Sequence, residues 1–324
     1  CAADIERDQL AAMPEVDGLV ANTAKLDARA WNVPADVPPA PQNRTRAFIA
    51  VQNGCDHACT FCVIPQGRGR SRSLSIEQVL HEVQRHIAHG APEIVLTGVD
   101  VTSWGHDLPG RPPLGQLVAA VLDAFPQLER LRMSSLDGIE IDPLLFDLFA
   151  HEPRLMPHLH LSLQHGHDLI LKRMKRRHLR ADALDLVARL RQHRPDLALG
   201  ADLIAGFPTE TEQHHAANLA IIRELQIVHC HVFPYSPRPG TPAARMPQLD
   251  RATIKRRAAE LRETAREVRD HWLASLIASP HSVLAERDGT GYTPHFARCS
   301  LPDGTVPGTI VTVTPSKHEN GLLE

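Results

Sequence analysis

The sequence has little of three things that would place it in other classes of protein. No uninterrupted apolar run is long enough to cross a bilayer, which argues against a membrane-spanning chain. There is no excess of basic residues, because 35 Lys and Arg stand against 38 Asp and Glu for a formal net charge of −3, so any contact with RNA must come from local patches. The 324 residues include only 6 cysteines, unevenly spaced, which excludes a disulfide framework and suits a reducing cytoplasm.

Three of those cysteines lie together in one short segment. Cys55, Cys59 and Cys62 follow the apolar run 48–51 directly, with spacings of three and two residues between them. A 4Fe-4S cluster normally takes four cysteines, so a triad without a fourth nearby leaves one iron open to a chelating small molecule. The alternative is a structural zinc site, which usually requires two pairs of Cys or His ligands. The spacing favours the cluster.

Short apolar runs alternate with amphipathic stretches through most of the chain. This alternation predicts parallel βα units that form a partial or full α/β barrel, with the ligand site at the carboxyl ends of the strands. The predicted strands are 48–51, 93–97, 128–134, 159–163, 198–205 and 227–233. The predicted helices are 76–89, 114–125, 143–150, 181–194, 210–225 and a charged segment over about 250–277.

Two changes of composition divide the chain into predicted domains. Residues 30–45 are rich in proline and read as a linker, which leaves 1–29 as the end of a preceding domain. Residues 46–279 contain the βα pattern. Residues 280–324 are rich in Gly, Pro and Thr with alternating apolar residues, which predicts a small all-β barrel.

The cysteine segment belongs to a set of motifs that resembles a known family. The motif Gly54-Cys-x3-Cys-Thr-Phe-Cys-Val-Ile-Pro resembles the radical S-adenosylmethionine (SAM) methylthiotransferases, and the likeness extends over nearly the whole chain. The other segments that carry it are 68–72, 96–105, 157–164, 170–177, 202–208 and 231–242. Two signatures within these segments, Met-Lys-Arg-Arg in 170–177 and Tyr-Ser-Pro-Arg-Pro-Gly-Thr in 231–242, are most similar to the MtaB branch.

The resemblance implies a fold, cofactors and an activity. It implies a TIM-like partial barrel and a C-terminal TRAM domain that contacts RNA. It implies a 4Fe-4S cluster on Cys55, Cys59 and Cys62 that binds and cleaves SAM, with an electron donor such as flavodoxin or ferredoxin. For the MtaB branch it implies conversion of N6-threonylcarbamoyladenosine beside the tRNA anticodon to its 2-methylthio derivative. Rival hypotheses are a methylthiotransferase for isopentenyladenosine or a ribosomal protein, and a zinc-holding RNA-binding module.

The resemblance also suggests SAM contacts, each with an ordinary structural alternative. Phe61 resembles a residue whose backbone lies along the SAM adenine, or it is a core aromatic. Gly98 and Asp100 resemble a segment that binds the SAM amino group, or they form an ordinary βα turn. Ser134 and Ser135 could bind the ribose or carboxylate of SAM, or could cap an element.

A basic segment near the middle of the chain is the predicted RNA contact. Such a segment could be a solvated helix face, but a tRNA enzyme without overall positive charge needs a local site for phosphates. One of these arginines could also turn inward toward a SAM carboxylate. The predicted RNA-binding residues are Lys172, Arg173, Lys175, Arg176, Arg177 and Arg180.

The remaining cysteines and histidines receive fewer predictions. Because the chain begins with Cys1 rather than methionine, we interpret it as a fragment, and the resemblance implies that Cys1 is the last ligand of an auxiliary 4Fe-4S cluster in the intact protein. Cys230 and Cys299 are isolated and receive no role. His165 and His167 depart from the family pattern, and the histidines as a group look too scattered for a second metal site.

Overall fold

The computed structural model describes residues 2–25, 27–32 and 45–324. Cys1 and most of the predicted linker therefore lie outside the described residues. The α-helices are α1 Ala2–Ile5, α2 Arg7–Ala11, α3 Ile64–Arg68, α4 Ile76–Ala88, α5 Leu114–Ala124, α6 Pro143–His151, α7 Asp168–Arg173, α8 Arg180–His193, α9 Glu212–Leu225 and α10 Arg251–Ser275. The strands are β1 Arg46–Asn53, β2 Arg72–Ser73, β3 Glu93–Gly98, β4 Arg130–Met133, β5 His158–Gln164, β6 Ala198–Ala205, β7 Ile227–Pro234, β8 His281–Ala285, β9 Thr290–Tyr292, β10 Arg298–Ser300, β11 Ile310–Val313, β12 His318–Glu319 and β13 Leu322–Leu323.

The parallel strands form two sheets that continue into each other. One sheet has the order β2-β1-β3-β4 and the other has the order β5-β6-β7, with all pairs parallel except that of the short β2. Bridges at Leu131 to Leu155 and at Leu136 to Leu161 join β4 to the second sheet. No pairing among the described residues connects β7 back to β1, so the strands curl into an open half barrel.

This arrangement confirms the predicted α/β fold of parallel βα units, and the predicted elements agree with it to within a few residues. A capping box begins α4, because the side chains of Ser75 and Gln78 each accept from the backbone N–H of the other residue. Helix α9 begins at Glu212 rather than at 210 because the Thr211 side chain caps it. The two-residue β2 and the short helices α3 and α7 were not predicted, since such elements are too short to show a periodicity.

The helices cover the outer face of the half barrel. Leu159 and Leu161 of β5 and Leu203 of β6 lie in the main hydrophobic core, together with residues of α8 and α9. Because side chains alternate across a strand, the even-numbered residues of β5 and β6 point to the opposite, concave face. The concave face is where a parallel barrel can hold a ligand.

The C-terminal strands form a separate sheet with the order β11-β8-β9-β10-β13-β12, antiparallel except for the β10–β13 pair. This confirms the predicted all-β unit. It packs on the half barrel through buried arginines: Arg130 donates to the carbonyls of Tyr292 and Ser282, and Arg132 donates to that of Pro294. Among the described residues, no helix is both long and apolar enough to span a membrane.

Candidate functional site

The cysteine loop leaves the carboxyl end of β1, where the βα rule places a ligand site. Gly54 begins the loop at φ +83°, and a side-chain carbon there would overlap the backbone carbonyl of Arg70. The loop is braced against the segment behind it, because Cys55 N donates to Gly69 O at 3.1 Å and Ser71 N donates to the Asp56 carboxylate at 3.3 Å. A glycine is therefore required at the point where the chain turns into the cysteines.

The three thiols are half-buried and form no disulfide. Each sulfur accepts one N–H: that of His57 at Cys55 (3.4 Å), that of Ile64 at Cys62 (3.4 Å) and a guanidinium N–H of Arg176 at Cys59 (3.6 Å). Burial is the main cause that raises the pKa of Cys55 to about 12, with Asp100 and Cys59 adding to it. Burial and Cys59 likewise raise the pKa of Cys62.

These surroundings suit a cationic cluster. Thiols with raised pKa values stay protonated in the absence of metal. A bound metal favours their deprotonation, because its positive charge offsets the negative charges of the neighbouring thiolates. Hydrogen bonds to the sulfurs are among the means by which proteins tune iron–sulfur clusters. Cys55, Cys59 and Cys62 therefore fit a 4Fe-4S cluster as ligands.

A buried amide joins this loop to the end of β3. The Gln52 side chain is 2% exposed, accepts from the backbone N–H groups of Val99 (3.1 Å) and Asp100 (2.9 Å), and donates to Gly54 O (2.9 Å). At Gly98 a side-chain carbon would lie 2.9 Å from the Gln52 amide oxygen, so a larger residue does not fit. Gln52 was missed by the sequence analysis, although a glutamine that ends an apolar run just before the cysteines was a visible signal.

Asp100, one of the predicted SAM contacts, lies against the cysteine loop. Its carboxylate accepts from the Cys55 thiol at 3.5 Å, from Ser103 Oγ at 2.9 Å, and lies 2.9 Å from His57 Nε2. Hydrogen bonds to Asp100 and then Glu140 raise the pKa of His57 to about 10. When Cys55 is deprotonated, its thiol no longer donates to Asp100, and the Asp100 carboxylate oxygen then lies beside the cluster site.

Ser134 and Ser135 follow β4 on the same edge. The Ser134 backbone N–H donates to Leu96 O at 3.0 Å, which extends the β3–β4 pairing. Both serines are half-buried as residues, but the Ser134 hydroxyl oxygen is buried and has no hydrogen-bond partner among the described residues. A buried hydroxyl without a partner suits contact with a ligand, but its role in SAM binding stays a prediction.

Arg176 turns inward to the cluster site, as the sequence analysis allowed for one of the basic residues. Its side chain is 8% exposed and donates to Asp137 and to the Ser162 carbonyl, both at 2.8 Å, as well as to Cys59. Asp137 was not predicted. Its carboxylate also accepts from Arg177 at 3.2 Å, and although burial acts to raise the pKa of Asp137, His178 and the arginines lower it overall.

The other predicted RNA contacts divide into inner and outer residues. Arg173 donates to Thr209 Oγ1 at 2.7 Å, and Arg180 donates to Gly166 O at 2.7 Å and pairs with Glu224. Lys172 and Lys175 are exposed. Arg177 is exposed as well, but its guanidinium pairs with Glu140 and Asp137. The arginine charges of this segment are thus largely engaged within the protein.

Phe61 lies at the border between the cluster loop and a small second core. Its ring meets Phe207 edge-on with centroids 6.5 Å apart, and it packs beside Ile170, Met174 and Ala243. The neighbouring Thr60 ties the loop to α7, because its N–H donates to Met174 O at 3.1 Å and its hydroxyl to Arg173 O at 2.8 Å. These contacts serve packing and leave the predicted backbone contact with adenine untested.

The loop after β6 is held by a fully buried carboxylate. Glu210 accepts from the backbone N–H groups of Gly206 (3.0 Å) and Phe207 (3.1 Å) and from Arg257 (3.0 Å), and lies 3.3 Å from His165 Nε2. His167, through Nδ1, caps α7 by accepting from Leu169 N at 3.2 Å. The two histidines that depart from the family pattern therefore have structural contacts.

The sequence matches known proteins over its whole length. A profile of the radical SAM superfamily matches residues 49–220. The threonylcarbamoyladenosine tRNA methylthiotransferase MtaB of Rickettsia prowazekii (strain Madrid E) is 41% identical over 340 residues, which cover 100% of this chain and 81% of that protein. The tRNA-2-methylthio-N(6)-dimethylallyladenosine synthase of Rickettsia rickettsii (strain Sheila Smith) is 36% identical over 287 residues, which cover 84% of this chain and 64% of that protein. MtaB of Thermotoga maritima is 36% identical and covers 76% of this chain and 56% of that protein.

Proposed function

The chain belongs to the radical SAM methylthiotransferases, and from that premise we propose that it places a methylthio group on N6-threonylcarbamoyladenosine beside the anticodon of tRNA. The observation that carries this substrate is the 41% identity to a threonylcarbamoyladenosine enzyme over the full chain, against 36% over 84% of the chain for a dimethylallyladenosine enzyme. The second substrate is therefore the alternative to test.

Cys55, Cys59 and Cys62 would hold the cluster. A bound 4Fe-4S cluster supplies the electron that cleaves SAM, and the protein's part is to bind, orient and shield the reactants. In this chain Gln52 sets the spacing between the cysteine loop and Gly98, and Asp100 presents a carboxylate oxygen that suits an ammonium group. Arg176 places a positive charge at Cys59 that offsets the charge of the thiolates.

The finer parts of the proposal come from the family resemblance. We propose that the intact protein holds a second 4Fe-4S cluster with Cys1 as one ligand. In support, the N-terminal segment packs beside the cysteine loop, since Asn22 donates to the carbonyl of Arg68 in α3 at 3.2 Å. We also propose a flavodoxin- or ferredoxin-like electron donor, a cytoplasmic location, and RNA binding by the C-terminal sheet.

Nucleoside mass spectrometry on tRNA tests the substrate. In cells that lack the gene, we expect loss of 2-methylthio-N6-threonylcarbamoyladenosine with the methylthiolated isopentenyladenosine unchanged. The gene should restore the product. The Cys59→Ala variant should not restore it, whereas Cys230→Ala, which removes an isolated thiol of β7, should. Loss of the isopentenyl product alone would assign the alternative substrate, and no change in either nucleoside would reject both.

A further inference from the structure

Three polar side chains meet on adjacent strands of the second sheet, away from the cysteine loop. His160 lies on β5, Asp202 on β6 and His231 on β7. The same Asp202 oxygen lies 3.0 Å from His160 Nε2 and 3.1 Å from His231 Nδ1, and the three ligand atoms lie within 4.8 Å of one another. The expectation that the histidines are scattered does not hold for His160 and His231, which are distant only along the chain.

The register of strands β5, β6 and β7 brings His160, Asp202 and His231 together. Asp202 is the direct partner of His231 across the β6–β7 pair, while His160 is opposite Gly200 across the β5–β6 pair. A side-chain carbon at Gly200 would collide with the His160 imidazole, so the glycine leaves room for the ring to lie across β6 toward Asp202. The alternation of side chains along β5 and β6 puts His160 and Asp202 on the concave face.

The distances are close to those of a metal site. Ligand atoms at about 2.0–2.1 Å from a tetrahedral zinc ion are separated by about 3.3 Å from each other. The observed separations of 3.0 and 3.1 Å are slightly shorter, as expected of atoms joined by hydrogen bonds. Loss of the two imidazole protons and a small outward shift would admit an ion.

The charge of the group also suits a cation. Asp202 supplies a carboxylate, and one of its oxygens lies within hydrogen-bond distance of both His160 and His231. Two further imidazoles lie close by, those of His158 and His229, with ring centroids 5.1 Å apart.

The solvent exposure of the three side chains increases from His160 to Asp202 to His231. The His160 side chain is 7% exposed, Asp202 20% and His231 64%. An ion can thus enter from the His231 side, and its remaining coordination positions would face solvent or a ligand on the concave face. Two imidazoles and one carboxylate, without sulfur, favour Zn²⁺, Co²⁺, Ni²⁺ or Fe²⁺ over Mg²⁺ or Ca²⁺.

We propose that His160, Asp202 and His231 form a binding site for a divalent transition-metal ion, separate from the cluster cysteines. The proposal goes beyond the methylthiotransferase activity and does not depend on its substrate. The competing explanation is a hydrogen-bonded His–Asp–His group that binds no ion.

Zinc binding to protein with its cluster assembled tests the proposal, because the cluster occupies the thiols that would otherwise compete. After removal of loosely bound metal and equilibration with Zn²⁺ under anaerobic conditions, the unchanged chain should retain about one zinc more than His231→Asn, as expected for one site. Since the substitution removes a direct metal ligand, the zinc affinity should fall by more than the loss of about 10–100-fold that follows when only a hydrogen-bond partner of a ligand is changed. His231 is exposed, so this substitution should not disturb folding.

Two further measurements make the result specific. His81→Asn, which alters an exposed histidine of α4 outside the group, should retain zinc like the unchanged chain. Co²⁺ added to a variant with Cys55, Cys59 and Cys62 replaced by Ala should give a d–d spectrum without sulfur-to-metal charge transfer, and His231→Asn should abolish it. Equal zinc content in the unchanged chain and His231→Asn, or no cobalt spectrum in the variant without the three cysteines, would overturn the proposal.

Discussion

At the residue scale, one amide controls the spacing of the site. Gln52→Ala would leave the backbone N–H groups of Val99 and Asp100 without their acceptor in a buried position, at a cost of about 1–3 kcal/mol for each such group. We expect the free energy of unfolding to fall by about 2–6 kcal/mol in urea titrations, and the iron content after reconstitution to fall as well. Gln84→Ala, at an exposed position of α4, is the matched control and should change neither.

The interactions of Asp202 should make the stability of the protein depend on pH. Its carboxyl has a pKa lowered from 3.8 to about 2, so its contribution to stability, about 2 kcal/mol, is present above pH 3.8 and is lost as pH falls toward 2. The pKa of His231 is raised from 6.5 by its hydrogen bond to Asp202, so its contribution is present below pH 6.5 and declines as pH rises above that value. In metal-free protein, Asp202→Asn should destabilise most between about pH 4 and 6.5.

Urea unfolding at pH values below, within and above this window measures the difference between Asp202→Asn and the unchanged chain. The control is Asp147→Asn, which alters an exposed carboxylate 3.5 Å from His151 and should show little effect at any pH, since surface pairs contribute little. A difference for Asp202→Asn that does not decline on either side of the window would contradict the assignment.

At the element scale, the basic residues of α7 and of the turn after it fall into two groups, one exposed and one hydrogen-bonded within the protein. Lys172 and Lys175 are exposed, whereas Arg173, Arg176 and Arg180 make hydrogen bonds within the protein. Replacing both lysines with Ala should weaken tRNA binding and reduce the slope of log affinity against log salt by about 1–2, with stability unchanged.

Filter binding or fluorescence anisotropy at several salt concentrations measures that slope. The control is Arg85→Ala with Arg189→Ala, two surface arginines of α4 and α8 on the outer face of the half barrel. If both double variants bind tRNA like the unchanged chain, the segment is a solvated helix face and not an RNA contact.

At the scale of the whole molecule, the half barrel and the C-terminal sheet stabilise each other. Deleting residues 280–324 would remove the carbonyls that Arg130 and Arg132 contact and the Phe296 ring that stacks on His158 at 5.2 Å. Arg132 keeps its ion pair with Glu93, but each hydrogen bond that a guanidinium loses with the sheet removes about 1.5–3 kcal/mol. We therefore expect the truncated chain to unfold at a lower temperature in thermal denaturation, in addition to any loss of RNA binding.

A point change separates these two effects. Arg287 is exposed between β8 and β9, so Arg287→Glu should leave the unfolding temperature unchanged while weakening tRNA binding if the sheet contacts RNA. Truncated protein that unfolds at the temperature of the full chain would show that the sheet is an independent appendage.

The order of elements and the grouping of the three cysteines could be predicted from the sequence alone. Strand and helix periodicities are local, so the six parallel strands and the main helices could be located within a few residues, and three thiols within eight residues must lie together in any fold. The sequence could not show that Lys172 and Lys175 are exposed while Arg176 points inward. Residues of one basic segment look alike in sequence and differ only in what packs against them.

Contacts between residues distant along the chain could be identified only from the folded structure. Gln52 meets Asp100, Asp137 meets Arg176, and His160, Asp202 and His231 converge because parallel strands bring separate segments side by side in a definite register. One residue of slip would move His160, Asp202 or His231 to the other face of its sheet. Local periodicity contains no information on that register, so these contacts could be recognised only once the strands were paired.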